Sequence, residues 1–274
     1  MGLIMKEKYR APSNAYALVT GATGGLGKAF SFALVKRGYH LLLTGRSIKK
    51  LSALKAEIEG QYQRDVRIYP ADLSDAVSRQ KILDELENSG IKIALLANVA
   101  GADIQKGLEE YTQEKICFQT RVNFEAAAVL CHFALKHRAE RLEIVNVSSV
   151  SGLYPMPYFA IYSATKCALT AFSQAFREEV RGKNVSVTAV LPGAMPTRED
   201  IKEQIKGQGL WGKLAAKSPE TVAEISLNAV RKNKRKLIVG FWNKMMRLGT
   251  AWLPPSLRLR FIARRWGKIT KDAF

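Results

Sequence analysis

Short apolar segments alternate with helix-like segments along most of this chain. The apolar segments lie at 15–20, 39–45, 66–72, 92–101, 142–149, 185–193 and 235–240. Strands that alternate with helices of about 10–15 residues indicate right-handed βαβ units and a parallel sheet covered by helices on both faces. The sequence therefore predicts one α/β domain, a doubly wound Rossmann fold with a mainly parallel seven-stranded sheet flanked by helices.

Composition and cysteine usage exclude several other classes of protein. The chain of 274 residues is 47% hydrophobic and 24% charged, as in soluble globular proteins. It has no apolar run of the roughly 20 residues that span a bilayer, and its start lacks the apolar segment of a secretory signal. The three cysteines form no CxxC pair and the three histidines share no ligand spacing. We therefore expect no disulfide framework and no metal site, and a reducing cytoplasm as the location.

A glycine-rich turn, GATGGLG at 21–27, joins the first predicted strand to a helix predicted at 28–38. Glycines let the backbone turn sharply and approach a pyrophosphate closely. The free N–H groups at a helix start attract phosphate. The position of this turn between strand and helix predicts dinucleotide binding, although similar glycines also occur in turns that serve packing only.

The second strand ends in TGRS, with Arg46 and Ser47 and no acid nearby. An acid at this point usually holds the ribose 2′-hydroxyl of NAD, whereas a guanidinium pairs well with a 2′-phosphate. The sequence therefore favours NADPH or NADP over NADH. The alternative is that Arg46 is a solvated surface residue.

Tyr162 and Lys166 lie four residues apart in YSATK, at the start of a predicted helix, so both side chains can point into one site. A phenol has a pKa of about 10, and a nearby ammonium stabilises its phenolate. We expect Lys166, together with a cationic nicotinamide ring in the oxidised complex, to make the phenol acidic enough to donate a proton to a carbonyl oxygen. Ser149 ends a strand where ligands bind in open α/β sheets, and its hydroxyl can hydrogen-bond the same oxygen. Its neighbour Ser148 is the competing assignment.

These motifs together resemble the short-chain dehydrogenase/reductase superfamily over about residues 15–240. TGATGGLG is similar to its TGxxxGxG loop, and PGAMPT at 192–197 is similar to its PGxxxT segment. NVAG at 98–101 resembles its NNAG motif, with Val99 in place of the second Asn, a change expected to affect the sheet more than the chemistry. The catalytic tetrad of the family is matched, residue by residue, by Asn123, Ser149, Tyr162 and Lys166.

The resemblance implies a role for each residue of this tetrad. Tyr162 would be the general acid in reduction and the general base in oxidation. Ser149 would orient the substrate carbonyl, and Lys166 would hold the nicotinamide ribose and tune the phenol. Asn123 would loosen its helix by binding a water in a proton relay to Lys166.

The resemblance also implies a set of cofactor-binding residues. Asp72, in the segment ADLS, would hold the adenine, and Thr197 would bind the nicotinamide carboxamide. The full set comprises Gly21, Thr23, Gly24, Gly25, Leu26, Gly27, Arg46, Ser47, Asp72, Leu73, Asn98, Ala100, Gly101, Tyr162, Lys166, Pro192, Gly193 and Thr197.

The expected organisation and activity follow from the same resemblance. We expect an N-terminal extension at 1–14, a catalytic domain at 15–240 with a substrate lid at 194–217, and a C-terminal extension at 241–274. The expected reaction transfers hydride between NADPH and a carbonyl or alcohol group of a hydrophobic ketone, aldehyde or 3-oxoacyl-type compound. A catalytically silent NADP(H)-binding regulatory or scaffold protein is the alternative. Because the family is usually dimeric or tetrameric, we expect a homodimer or homotetramer.

The C-terminal extension is strongly basic. The whole chain carries a net charge of +19, and from Arg231 onward 13 lysines and arginines accompany a single acid. Apolar residues recur there at helical spacing, and basic amphipathic helices lie well on anionic membranes. Peripheral membrane contact is therefore one expectation, and covering the substrate pocket or packing on a second subunit are the others. Nucleic acid is not an expected partner, since no base-reading motif is present.

Overall fold

The computed structural model describes residues 11–196, 216–252 and 254–266. Its strands form one seven-stranded sheet in the order β3-β2-β1-β4-β5-β6-β7, and every neighbouring pair is parallel. The predicted doubly wound parallel sheet is thus confirmed. The strands are β1 (Tyr16–Val19), β2 (His40–Gly45), β3 (Val66–Pro70), β4 (Ile93–Asn98), β5 (Arg138–Val147), β6 (Val185–Leu191) and β7 (Lys236–Ile238).

Helices connect the strands and continue beyond the last one. Short 3₁₀ turns lie at Leu108–Glu110 and Val150–Leu153, and a π-helical turn, Arg121–Glu125, joins α4 to α5. In the part of the chain that the structure describes, no helix is both long and apolar enough to cross a membrane. The helices are α1 (Gly25–Lys36), α2 (Ile48–Glu59), α3 (Ala76–Asn88), α4 (Gln113–Thr120), α5 (Ala126–Lys136), α6 (Ala160–Glu179), α7 (Pro219–Arg231), α8 (Phe241–Ala251) and α9 (Pro255–Trp266).

The strands read as continuous apolar runs because both faces of the sheet are buried. On β2, Leu41 and Leu43 belong to one core layer, which α1, α2 and α7 cover. Leu42 belongs to the other layer, which α3, α5 and α6 cover. All three leucines are fully buried. This alternation follows from the two-residue period of a strand, and it holds the sheet rigid beneath the loops at its carboxyl edge.

Several predicted strands end earlier than expected at that edge. β4 ends at Asn98 rather than at residue 101, β5 at Val147 rather than 149, and β6 at Leu191 rather than 193. At the end of β4 the chain leaves the sheet because its N–H groups find other partners. The backbone N–H groups of Val99 and Ala100 both donate to Thr20 Oγ1 at 2.9 Å. The residues predicted to bind ligands therefore lie in loops beyond the strands.

Candidate active site

The glycine-rich turn is as tight as its sequence predicts. Gly21 adopts a positive φ of 61°, and a Cβ there would lie 2.9 Å from Ala100 Cα. A Cβ on Gly27 would lie 2.0 Å from the backbone oxygen of Gly21. Real side chains do not tolerate such distances, so both positions require glycine for the turn to fold back onto the start of α1.

The N-terminus of α1 is open toward the turn. Helix α1 begins at Gly25, earlier than predicted, and the preceding Gly24 provides no side-chain cap. No acid lies in the first helical turn. Uncapped N–H groups and the positive end of the helix dipole make this a favourable place for an anion such as a pyrophosphate.

The end of β2 is cationic. Ser47 caps α2 by accepting a hydrogen bond from the Lys50 N–H at 3.3 Å. The exposed Arg46 guanidinium lies 6.0 Å from the centre of the Phe118 ring on α4. With Lys49 and Lys50 following and no acid in the first turn of α2, the surroundings suit a phosphate better than a ribose hydroxyl.

The loop after β3 lies at the carboxyl edge of the sheet and is held by hydrogen bonds of Asp72 and Leu73. Asp72 Oδ1 accepts hydrogen bonds from the backbone N–H of Ser74 at 2.8 Å and from its hydroxyl at 2.7 Å. The buried Leu73 carbonyl accepts from Arg79 Nη1 at 2.7 Å. A cavity of about 340 Å³ opens between this loop and α4. Its lining residues are Ser74, Gln113, Glu114, Cys117, Phe118 and Arg121.

Asn98 lies inside the protein, and its side chain joins the sheet to the helices. Its Nδ2 donates to Asn146 Oδ1 at 2.8 Å and lies 3.3 Å from the Ala127 carbonyl oxygen. Asn146 in turn donates to Ser173 Oγ on α6 at 2.9 Å. The sequence predicts Asn98 as a cofactor-binding residue, and the structure gives its amide this internal cross-linking position. Ala100 and Gly101, which follow, lie at the edge of the site.

Tyr162 and Lys166 share one face of α6, as their spacing predicts. The helix starts at Ala160, and the Phe159 ring packs edge-on against the Tyr162 ring with centroids 5.4 Å apart. Lys166 is 4% exposed, and its Nζ donates to the Val147 carbonyl at 3.0 Å. The same Nζ lies 5.8 Å from the centre of the Tyr162 ring. Phenol and ammonium are therefore neighbours beside the end of β5.

The two neighbouring serines have different surroundings. Ser148 Oγ donates to the Lys166 carbonyl at 2.7 Å and lies 2.8 Å from Thr170 Oγ1. Ser149 forms a side-chain hydrogen bond with Tyr162 and accepts one from the Ser151 N–H at 3.1 Å. Ser148 is thus engaged with the backbone of α6, and Ser149 is the serine beside the phenol.

Asn123 lies in the π-helical turn, where the helix between α4 and α5 is locally widened. Its Oδ1 accepts from the Ala102 N–H at 2.8 Å, and its Nδ2 donates to the Ala102 carbonyl at 2.9 Å. A Cβ on Gly101 would lie 3.0 Å from Asn123 Oδ1 and 3.2 Å from Lys166 Nζ. Asn123 and Lys166 therefore meet at one backbone position. All four tetrad residues lie together at the carboxyl edge of β4 and β5.

The electrostatics of the phenol differ from the sequence-based prediction. Burial raises the pKa of Tyr162, the charge of Asp103 raises this pKa further, and the hydrogen bond with Ser149 lowers it. Burial lowers the pKa of Lys166 to about 8. Loss of water around the hydroxyl outweighs the neighbouring ammonium, so Lys166 by itself does not lower the pKa of Tyr162 toward neutrality. At neutral pH Tyr162 is protonated, the form that donates a proton.

Sequence reasoning missed two residues of this site. Asp103 follows NVAG closely, and its charge raises the pKa of both Tyr162 and Lys166. The sequence feature that could have identified Asp103 is the presence of an acid two residues after the NVAG motif. Thr20, the last residue of the predicted first strand, is 1% exposed and ties the glycine-rich turn to the NVAG segment through its Oγ1. Nothing in the sequence distinguishes it from an ordinary strand-end threonine.

The loops after β5 and β6 contact each other, and the loop after β6 also contacts helix α8. Tyr158, just before α6, adopts a positive φ of 63°, which is uncommon for a residue other than glycine. Pro192 accepts a hydrogen bond from the Val150 N–H at 3.0 Å, and a Cβ on Gly193 would lie 2.6 Å from Asn243 Nδ2 of α8. Thr197 and most of the predicted lid, 197–215, lie outside the described residues.

A parallel doubly wound sheet with a phosphate-binding turn and a Tyr–Lys pair at its carboxyl edge defines a Rossmann-type oxidoreductase. Residues 15–206 match the family model described as short chain dehydrogenase. The chain is 32% identical over 199 residues to 17-beta-hydroxysteroid dehydrogenase type 3 of Homo sapiens, covering 71% of this chain and 63% of that protein. The chain therefore belongs to the short-chain dehydrogenase family.

Further relatives and solved structures agree with this assignment. Very-long-chain 3-oxoacyl-CoA reductase of Bos taurus is 32% identical over 223 residues, covering 78% of this chain and 68% of that protein. A short chain dehydrogenase from Burkholderia cenocepacia J2315 in complex with NADP has a TM-score of 0.74 at 23% identity, covering 85% of this chain and 98% of that one. A 7beta-hydroxysteroid dehydrogenase has a TM-score of 0.79 at 23% identity, covering 94% and 98%. With 63% of the human steroid dehydrogenase matched, the chain spans less than two thirds of that relative.

Proposed function

We propose that this protein is an NADPH-dependent reductase of a bulky, lipophilic carbonyl compound. The observation that carries the proposal is the convergence of Tyr162, Ser149 and Lys166 beside the glycine-rich turn, with the phenol held protonated by burial. A protonated phenol next to a serine hydroxyl is a proton donor paired with a second hydrogen-bond donor for one oxygen atom.

The residues of this edge fit a nicotinamide dinucleotide phosphate. Gly21 and Gly27 clear the space for a close-lying pyrophosphate, and the open start of α1 offers its N–H groups. Arg46, without an acid in the first turn of α2, suits the 2′-phosphate. The cavity between the loop after β3 and α4 lies beside the Phe118 ring that Arg46 contacts. When bound, the cofactor supplies the hydride that reduces the carbonyl carbon.

The protein residues then supply and replace the proton. Tyr162 donates its hydroxyl proton to the carbonyl oxygen of the substrate as the carbon is reduced, while Ser149 hydrogen-bonds the same oxygen. The phenolate left behind is stabilised by the Lys166 ammonium, 5.8 Å from the ring centre. Lys166, whose pKa is about 8, exchanges protons readily near neutral pH, and Asn123 beside it orders the path toward solvent.

The character of the substrate is inferred from the loop between Ser149 and α6. This loop, GLYPMPYF at 152–159, contains the half-buried Tyr154 and the 41% exposed Tyr158, and its Phe159 ring packs against the Tyr162 ring. Relatives of the chain include a 17-beta-hydroxysteroid dehydrogenase and very-long-chain 3-oxoacyl-CoA reductases. Aromatic walls of this kind favour an extended apolar substrate, so we propose a long 3-oxoacyl thioester or a steroid-like ketone.

The test is a reductase assay of the full chain with NADPH and with NADH. Long and short 3-oxoacyl-CoA esters, a 17-ketosteroid and a small aldehyde are compared by following loss of NADPH absorbance. We expect the highest kcat/KM with NADPH and a long or polycyclic substrate. Tyr162→Phe should lower kcat by at least about a thousandfold, while NADPH binding, measured by fluorescence titration, is retained. Full activity of Tyr162→Phe would overturn the mechanism.

A second candidate is a catalytically silent NADP(H)-binding protein that docks through its basic C-terminal helices. The exposed cations of α8 and α9 favour such docking, but docking does not require a Tyr–Ser–Lys cluster. This alternative predicts tight NADPH binding with no cofactor oxidation by any member of the panel. The same assay therefore separates the two functions.

A further inference from the structure

We infer that helices α8 and α9 dock the protein onto the surface of an anionic lipid bilayer. Four apolar side chains of α8 and the residue that follows it lie at spacings of four, three and four, which places them on one helical face. Trp252 is 91% exposed and Phe241 is 65% exposed. Leu257 and Phe261 of α9 are also exposed. These two residues and Phe241, Met245, Leu248 and Trp252 are together called the tail stripe.

The opposite faces of these helices are packed against the protein. Asn243 is 4% exposed, donates to the Val239 carbonyl at 2.7 Å and lies against Gly193. Trp242 and Met246 are half-buried. On α9, the Arg258 guanidinium lies 5.0 Å from the centre of the Tyr154 ring. Because one face of each helix packs against the protein, the residues of the tail stripe are held on the solvent-exposed face.

The cations around the tail stripe identify the kind of surface that it fits. Residues 241–266 include six lysines and arginines and no acid, and Lys244, Arg247, Arg260 and Arg264 are exposed. An exposed row of Phe, Leu and Trp flanked by cations matches the headgroup region of an anionic membrane, where the apolar side chains reach the acyl chains and the cations meet phosphate. Neither α8 nor α9 is long and apolar enough to cross a bilayer, and the contact that we infer lies along its surface.

The same charges disfavour a second copy of this chain as the occupant. In a twofold interface each stripe would face its own copy, and the exposed cations of both copies would come together. Like charges placed opposite each other in an interface strongly disfavour association. A polyanion such as nucleic acid would satisfy the cations but leave the Phe and Trp side chains in water. An anionic bilayer satisfies both features of the surface.

The experiment is co-sedimentation of the full chain with vesicles of phosphatidylcholine alone and of phosphatidylcholine with phosphatidylserine. We expect binding to the mixed vesicles, weaker binding to the neutral ones, and weakening as salt is raised. The triple variant Phe241→Ser, Leu248→Ser, Trp252→Ser should bind at least about tenfold more weakly. The variant Lys244→Glu, Arg260→Glu, Arg264→Glu should lose the preference for phosphatidylserine.

The matched control replaces an exposed apolar residue that lies outside the tail stripe. Val77→Ser on α3, at a residue that is 78% exposed, should bind vesicles like the unmodified protein, and thermal unfolding checks that every variant is folded. Equal vesicle binding by the triple variant and the unmodified protein would overturn the inference. So would an absence of vesicle binding combined with a dimer that the triple variant converts to a monomer, since the stripe would then be a subunit interface. Neither outcome depends on the reductase assay.

Discussion

At the scale of single residues, the reactive centre is governed by three ionisable groups whose effects oppose one another. Burial keeps a proton on Tyr162 and weakens the hold of Lys166 on its own proton, while Asp103 raises the pKa of both. A dry site makes each of these charges more influential than it would be in water. The acid form of the phenol is therefore the resting form, and this is the form that reduction of a carbonyl requires.

Asp103→Asn tests this arrangement through the pH dependence of reduction. Because the charge of Asp103 raises the pKa of Tyr162, its removal should lower that pKa. Reduction needs the protonated phenol, so kcat/KM should begin to fall at a lower pH than in the unmodified protein. The measurement is the alkaline limb of the profile. Asp84→Asn, at an exposed position on α3, should leave the profile unchanged, and an unshifted limb in Asp103→Asn would contradict the argument.

The adjacent serines should respond oppositely to removal of their hydroxyls. Ser148→Ala loses contacts to the Lys166 carbonyl and to Thr170, so it should lower the free energy of unfolding by about 1–2 kcal/mol. Ser149→Ala should change stability little but lower kcat by about a hundredfold, since the hydroxyl acts on the substrate oxygen. Denaturant unfolding and the reductase assay measure the two quantities. A larger loss of kcat in Ser148→Ala would reverse the assignment.

At the scale of helices and strands, the sequence predicts well what depends on local pattern. Both faces of the sheet are buried, so each strand is an apolar run such as HLLLTG of β2, and the glycine-rich turn identifies the start of α1. The tetrad residues follow from fixed spacings in those elements. The role of a polar side chain at a strand end depends instead on which neighbour it meets. Asn98 and Asp103 lie five residues apart, yet only the second acts on the phenol, and only the fold shows this.

Asn98→Ala separates a structural role from direct cofactor contact. The Asn98 amide joins β4 to β5 through Asn146 and to α5 through the Ala127 carbonyl. Its loss leaves buried polar groups without their partner and should lower the free energy of unfolding by about 2–3 kcal/mol. Affinity for NADPH should change less than about threefold below the unfolding temperature. Asn88→Ala, exposed at the end of α3, is the matched control, and a stable variant with weak NADPH binding would favour direct contact.

At the scale of the whole molecule, the C-terminal helices connect the outer surface to the site. Helix α8 packs Asn243 against the loop after β6, and α9 brings Arg258 onto Tyr154 in the loop before the catalytic tyrosine. Helices α8 and α9 are thus in contact with the loops that follow β6 and β5. Among the alternatives that the sequence leaves open for the basic tail, packing of its inner face against these loops is compatible with an outward face on a membrane.

The stability of the whole fold should carry a signature of the buried lysine. Lys166 has a pKa of about 8 in the folded state against an ordinary value of 10.5 for lysine, so below pH 8 the fold holds a buried charge that costs roughly 3 kcal/mol. As the pH rises above 8, the folded protein releases this proton before the unfolded chain does, and stability increases. The gain should reach about 2 kcal/mol near pH 9.5. Above about pH 10 the raised pKa of Tyr162 acts in the opposite direction, because only the unfolded chain then ionises its phenol.

Lys166→Met isolates this contribution, because the difference in unfolding free energy between variant and unmodified protein cancels the other titrating groups. The variant should be at least as stable as the unmodified protein at pH 7 and should lack the increase between pH 8 and 9.5, as followed by urea denaturation. Lys92→Met removes an exposed lysine and should retain the increase. A parallel pH dependence in Lys166→Met would show that the lysine is not the source. Burial of Lys166 lowers the stability of the fold at neutral pH. The same burial lowers the pKa of this lysine to about 8, so that it can exchange protons near neutrality, as the proposed reaction requires.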